Sequence, residues 1–345
     1  MGCSIFRSPS PDITPHLISI PDDSPYRPID GREGKPLSEL NGDKSNRERI
    51  DELYAVVVYD GKKPVFQEND PLQKVYDRAR AVLDRYVLNA WHDSAEGAYN
   101  TVHAIHDFLV CNVKYDFSLY EEFNKGNADA ASDPAFHIDG VFLNGLAVCD
   151  GLSRAFDFLC AIEGIESVRV TGSLASTPHA WNKVKLFDKW YNLDVTSDAA
   201  YYTVGGSGNK KQLSHGYFLL SDDTISSFRP NGHAFADSPC VAEEDFDYYA
   251  EQSVSVGRKS FAAVVKSQSE LNRLFSAINA ADGKVGKIEV KLDFVGKTQV
   301  NEADMYAFEI AAAYRKIDDS DFVFASGSKP YFRYPNGVYM FLIYK

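Results

Sequence analysis

Residues 145–162 read GLAVCDGLSRAFDFLCAI, and beyond Cys149 the apolar residues Leu152, Ala155, Phe156, Leu159 and Cys160 recur at i, i+3, i+4, i+7 and i+8. That spacing draws one buried stripe along a helix over about 150–162, which Gly164 closes. Gly145 and Gly151 bracket Cys149, so its side chain emerges at the helix start while the helix body is held by the core. Unpaired N–H groups and the helix dipole favour negative charge at such an end, and the thiolate is the nucleophilic form of cysteine. Taken alone, a cysteine before a helix is more often a buried structural thiol. The other cysteines are weaker rivals: Cys160 belongs to the stripe, Cys111 lies late in another helix among Leu109 and Val110, and Cys240 sits in a polar loop.

A base must stand near the thiolate. His179 opens the strand-like segment HAWNKVKLF, which turns at Phe187-Asp188 or Asp188-Lys189 into KWYNLDVT. A hairpin with an even loop pairs odd positions of one arm with even positions of the other. His179 and Asp194 then share a face, about one diagonal step apart, close enough for the carboxylate to hold the imidazole. Trp181 lies on that face too. A loop of odd length or a bulge would break the parity. Nucleophile, base and orienting acid together follow the logic of acyl-transfer triads.

GLAVCDGLSRAFDFLCAIEGI, then VTGS, then HAWNKVKLFDKWYNLDVTSD resembles the core of the transglutaminase-like superfamily, and AIHDFLVCNVKYD and GYFLLSDD look like its flanks. The resemblance covers about residues 95–235. It implies an α+β fold with a papain-like core, in which the cysteine-bearing helix packs on an antiparallel sheet. It also implies a catalytic triad at Cys149, His179 and Asp194, with no cofactor and no metal. Ser197 departs from the tryptophan many relatives carry, which leaves the cleft wall after Asp194 open. The activity implied is attack on amide bonds of peptides or proteins through an acyl-thioester, with hydrolysis favoured over crosslinking. The alternatives are a protein-glutamine gamma-glutamyltransferase and a surface-tethered protein that binds peptide or glycan without turnover.

The 345 residues, 44% of them hydrophobic, suit a soluble chain of about two domains. A net charge of −13 with no basic block excludes a nucleic-acid footprint. No run approaches the roughly 18 apolar residues needed to cross a bilayer, and the start, MGCSIFRSPSP, lacks a signal-peptide core. Gly2-Cys3 before a polar, Pro-rich stretch is what remains when a bacterial lipoprotein signal is removed; an incidental cysteine reads equally well. On the first reading Cys3 is lipidated, tethers the chain to a membrane and places it outside the cytoplasm, with peptide, protein or cell-wall peptide as substrate.

Seven of the fifteen prolines precede residue 40, so residues 1–48 are expected to be a tether. Residues 49–240 then form the catalytic domain, and 255–345 a small C-terminal α+β unit beyond an acidic boundary near 238–256. Within the catalytic domain LYAVVVYD from Leu53 predicts a strand, and helices are predicted after Pro71 and over about 95–112. His103 and His106-Asp107 on the second helix lack a third ligand and read as structural or surface residues. Tyr115 and Asp116 end that helix at a family-typical position and are candidates for the cleft wall. GGSGNKK at 205–211 predicts a loop at the cleft border, and the aromatic residues Tyr331, Phe332, Tyr334, Tyr339, Phe341 and Tyr344 predict sheet.

Overall fold

A computed structural model describes residues 28–87, 94–203, 209–228, 232–256, 258–280, 286–294, 322–323, 331–334 and 337–344. Residues 29–31 make a 3-10 turn, and β1 (Gly34–Pro36) pairs in parallel with β2 (Lys63–Val65). The tether expected to reach residue 48 is corrected at its inner end: Ile29 and Leu37 are buried in the main core. The rest of that segment, residues 1–27 with Cys3, lies outside the described residues.

The strand expected from Leu53 is instead the last half of a helix, α1 (Asn46–Val58). Ser45 and Glu48 form a reciprocal capping box that nucleates it. Ile50, Leu53, Tyr54 and Val57 then bury one helical face, and this packing overrides the strand preference of the valine run. The next two helices match expectation. Asp70 caps α2 (Pro71–Tyr86) with Pro71 at the first turn, and Ser94 caps α3 (Ala95–Asn112).

After α3, β3 (Lys114–Tyr115) pairs in parallel with β4 (Leu146–Ala147), and α4 (Phe117–Asn124) lies between them in sequence. This short ladder sets Tyr115 beside the chain entering α5 (Cys149–Ile162). Every residue of the predicted stripe on α5 is buried, and Gly164 adopts φ +74° at its end. The helix packs against β5 (Ser167–Leu174) and β6 (Thr177–Leu186), which runs through a two-residue turn into β7 (Lys189–Leu193). Phe187 and Asp188 have φ of 52° and 60°, the paired left-handed conformation that suits a tight hairpin.

Beyond β7 come α6 (Val195–Asp198) and the hairpin β8 (Ala199–Thr203) with β9 (Asn209–Leu213). The predicted Gly-rich loop falls largely on residues 204–208, outside the described residues. Then β10 (Phe218–Leu220), α7 (Asp222–Ser227) and β11 (His233–Asp237) complete an antiparallel sheet of order β10-β7-β6-β5-β11. The fold is α+β, with the helix bearing Cys149 packed on an antiparallel sheet.

The C-terminal part opens with the hairpin β12 (Ser253–Val256) and β13 (Lys259–Ala262), followed by β14 (Val264–Val265) and α8 (Gln268–Ala280). A second sheet joins β14 to β15 (Gly286–Leu292), β16 (Phe322–Val323), β17 (Tyr331–Tyr334) and β18 (Gly337–Tyr344), with order β14-β15-β18-β16 and β17 also on β18. The C-terminal aromatic residues therefore sit on strands, as predicted. Tyr248, Tyr249, Leu271 and Val290 belong to the same hydrophobic cluster as α3 and α5, so this part packs onto the core of the first. Among the described residues no helix is long and apolar enough to cross a membrane.

Candidate active site

Cys149 is the first residue of α5, preceded by Val148, whose side chain gives no cap. The first intrahelical bond runs from the Leu152 N–H to the Val148 carbonyl. The N–H groups of Cys149, Asp150 and Gly151 therefore have no acceptor within the helix. A parity of odd against even holds across the β6–β7 hairpin, with Asn182 opposite Leu193 and Val184 opposite Tyr191. His179 and Asp194 accordingly meet on one face: His179 Nε2 stands 2.8 Å from Asp194 Oδ2. With Nε2 so engaged, Nδ1 is the ring nitrogen left for Cys149, whose thiol hydrogen-bonds His179. The three predicted residues come together, nearly closed to solvent at 6%, 7% and 1% exposure.

Burial opposes charge on His179, but Asp194 and then Cys149 outweigh it and push the imidazole up to about 10. Burial also opposes charge on Asp194, yet His179 and His233 hold its carboxyl well below the usual range. Every lone pair of Asp194 is used. Oδ1 accepts the N–H groups of Thr196 and Ser197 at 2.9 and 3.1 Å, capping α6. Oδ2 takes His179, His233 Nε2 at 2.8 Å and the Ser197 hydroxyl at 2.5 Å. Ser197 thus locks the carboxylate in place. His233 was not foreseen, because NGHAFAD gives no strand periodicity; β11 brings it in by pairing His233 with Leu174.

The rest of the HAWN segment builds the support. Trp181 is buried, stacks beside His179 with ring centroids 6.0 Å apart and donates Nε1–H to Asn192. Asn182 donates to the Ser153 carbonyl and to Asp157, tying β6 to α5. Tyr115 stands at the nucleophile: its hydroxyl bonds both the thiol and the backbone N–H of Cys149. Asp116 does not line the site but caps α4 through the Leu119 N–H. Of the rival cysteines, Cys160 is fully buried and burial pushes its thiol well up, while Cys111 is only half-buried and Cys240 is pushed up to about 11.

His106 lies between Asp107 at 3.0 Å and Asp198, the last residue of α6, at 3.1 Å. The expectation that His103 and Asp107 lack a third partner is corrected. His215, just after β9, joins them.

A comparison with curated proteins gave no match. A solved structure described as that of a TGase is 19% identical with a TM-score of 0.32, over 52% of this chain and 44% of its own. The chain thus spans under half the length of that structure. Residues 85–195 match the family model of the transglutaminase-like superfamily. The segment that holds Cys149, His179 and Asp194 is therefore a domain of the transglutaminase-like superfamily.

Proposed function

We propose that this protein is a cysteine enzyme acting on amide bonds of peptides or proteins, with Cys149 as nucleophile, His179 as its base and Asp194 as the orienting acid. The observation that carries this reading is the junction of three elements: a thiol on the first turn of α5, in hydrogen-bond contact with an imidazole whose other nitrogen is fixed on a saturated carboxylate. The thiol proton passes to His179 Nδ1, and sulfur attacks the amide carbonyl. Oxyanion charge then meets the Cys149 N–H, with the Tyr115 hydroxyl as the second donor beside it. Collapse breaks the C–N bond, and His179 returns the proton to the leaving amine. An acyl-thioester remains on Cys149.

Water resolves that thioester in preference to an amine. Trp181, stacked beside His179, is 1% exposed and fixed to Asn192 inside the sheet, so it is not presented as a lid that excludes water. Mass spectrometry of products formed with a labelled primary amine tests this step. Release of free acid should continue undiminished; predominance of amine-linked product at millimolar amine would replace the hydrolase reading by a transglutaminase. No turnover of any amide library, with a normally reactive thiol, would favour a binding protein.

A further inference from the structure

We propose that His103, Asp107 and His215 form a binding site for a single divalent metal ion of the zinc class, which fastens the C-terminal sheet to the catalytic domain. The three side chains reach one point from separate places: His103 and Asp107 lie one turn apart on α3, and His215 lies between β9 and β10. Their donor atoms all fall within 4.8 Å of one another. His103 Nε2 is 3.2 Å from His215 Nε2, His215 Nε2 is 2.9 Å from Asp107 Oδ1, and His103 Nε2 is 3.5 Å from Asp107 Oδ2. A tetrahedral zinc with bonds of about 2.0–2.1 Å sets neighbouring donors about 3.3 Å apart. Tyr248 brings a fourth donor, its hydroxyl 3.3 Å from His103 Nε2, with its ring stacked on His215.

The outer contacts orient these donors as ligands. His215 Nδ1 lies 3.1 Å from Glu289 Oε2, and Glu289 also accepts the His215 backbone N–H and the Tyr249 hydroxyl. A carboxylate that takes the Nδ1 proton leaves the Nε2 lone pair pointing inward, the arrangement that outer-shell acids impose on metal-bound histidines. That lone pair then faces His103 Nε2 and the Asp107 carboxylate, so a metal ion or a proton must lie between these atoms. Asp107, Asp198 and Glu289 bring three carboxyl groups to this histidine cluster, with His106 between Asp107 at 3.0 Å and Asp198 at 3.1 Å. Two imidazoles and one or two oxygens suit zinc over calcium or magnesium, which take all-oxygen shells. His103, the most exposed of the three, opens the site to entering metal.

The competing occupant is a proton: His215 as an imidazolium shared by Asp107 and Glu289 would satisfy the same distances. The test uses the full chain carrying Cys149→Ala, stripped with a chelator and titrated with Zn²⁺ and Co²⁺. The proposal expects one equivalent bound, a rise in Tm, and visible Co²⁺ d–d bands of a tetrahedral site with no sulfur-to-metal charge-transfer band. His103→Gln, at the most exposed of the three positions, should weaken binding by more than about tenfold. His215→Gln should do the same, whereas His233→Gln should not. Failure of the folded Cys149→Ala protein to bind Zn²⁺ or Co²⁺, with two N–H signals on His215, would overturn the proposal. Full binding retained in His103→Gln, binding lost in His233→Gln, or a thiolate charge-transfer band would overturn it as well.

Discussion

Replacing Asp194 by asparagine separates the two jobs of that carboxylate. Oδ1 accepts two backbone N–H groups, from Thr196 and Ser197, whose directions α6 fixes. An amide NH2 cannot sit there, so the asparagine oxygen must take the Oδ1 place and its NH2 the Oδ2 place. That NH2 then faces His179 Nε2 at what was a 2.8 Å bond, and His179 has to accept there instead of donate. Its proton moves to Nδ1, the nitrogen that should receive the thiol proton. The base is blocked by the wrong tautomer, and no carboxylate remains to stabilise the imidazolium. The analogous change in serine triads costs about ten-thousand-fold in rate. Stability should fall by only about 1–3 kcal/mol, the cost of buried donors left poorly matched, because the cap on α6 survives. Rate constants on an amide or activated ester, with nitrogen NMR to locate the His179 proton, check both halves. A rate loss below threefold, or a proton still on Nε2 in Asp194→Asn, would refute the reasoning.

Tyr115→Phe removes a hydroxyl from Cys149 without touching the triad, so kcat should fall by on the order of ten- to a hundredfold with little change in KM; unchanged kcat would remove Tyr115 from the oxyanion site. Cys160→Ala should lower stability by about 1–3 kcal/mol in denaturant titrations while activity per folded molecule is kept, and half-buried Cys111→Ala should cost less than about 1 kcal/mol. Equilibrium unfolding against pH should reveal the His179–Asp194 pair from both sides. His179 is raised to about 10, so its contribution is fully present below its ordinary range near 6.5 and is lost as pH climbs through about 10. Asp194 is depressed, so its contribution is present above the ordinary carboxylate range and is lost as pH falls through its lowered value. Asp194→Asn should flatten both limbs, and an unchanged profile in that variant would contradict the assignment.

The helix bearing Cys149 and the His179–Asp194 hairpin were legible because each rests on local periodicity: a 3.6-residue stripe in one case, a period of two with an even turn in the other. Phe187-Asp188 kept that parity although neither residue is glycine. What escaped was set by distance in sequence. His233 reaches Asp194 only because β11 pairs with the far edge of β5, and His215 reaches His103 only because the chain after β9 returns to α3. Neither histidine sits in a segment whose pattern announces a partner. The strand wrongly expected at Leu53 shows the opposite failure, a valine run read by propensity while the Ser45–Glu48 box just upstream carried the helix signal.

The central claim is that an acyl group passes through the sulfur of Cys149. The most direct measurement is intact-protein and peptide-mapping mass spectrometry of the acid-quenched protein after mixing with a peptide-amide library. The account predicts an adduct on Cys149 alone, released by hydroxylamine, matched by free amine in solution and absent from Cys149→Ala, which should still fold because a small residue at this helix start removes little packing. Amide turnover that persists in Cys149→Ala, or an adduct that forms on Cys111 or Cys240 instead, would contradict it.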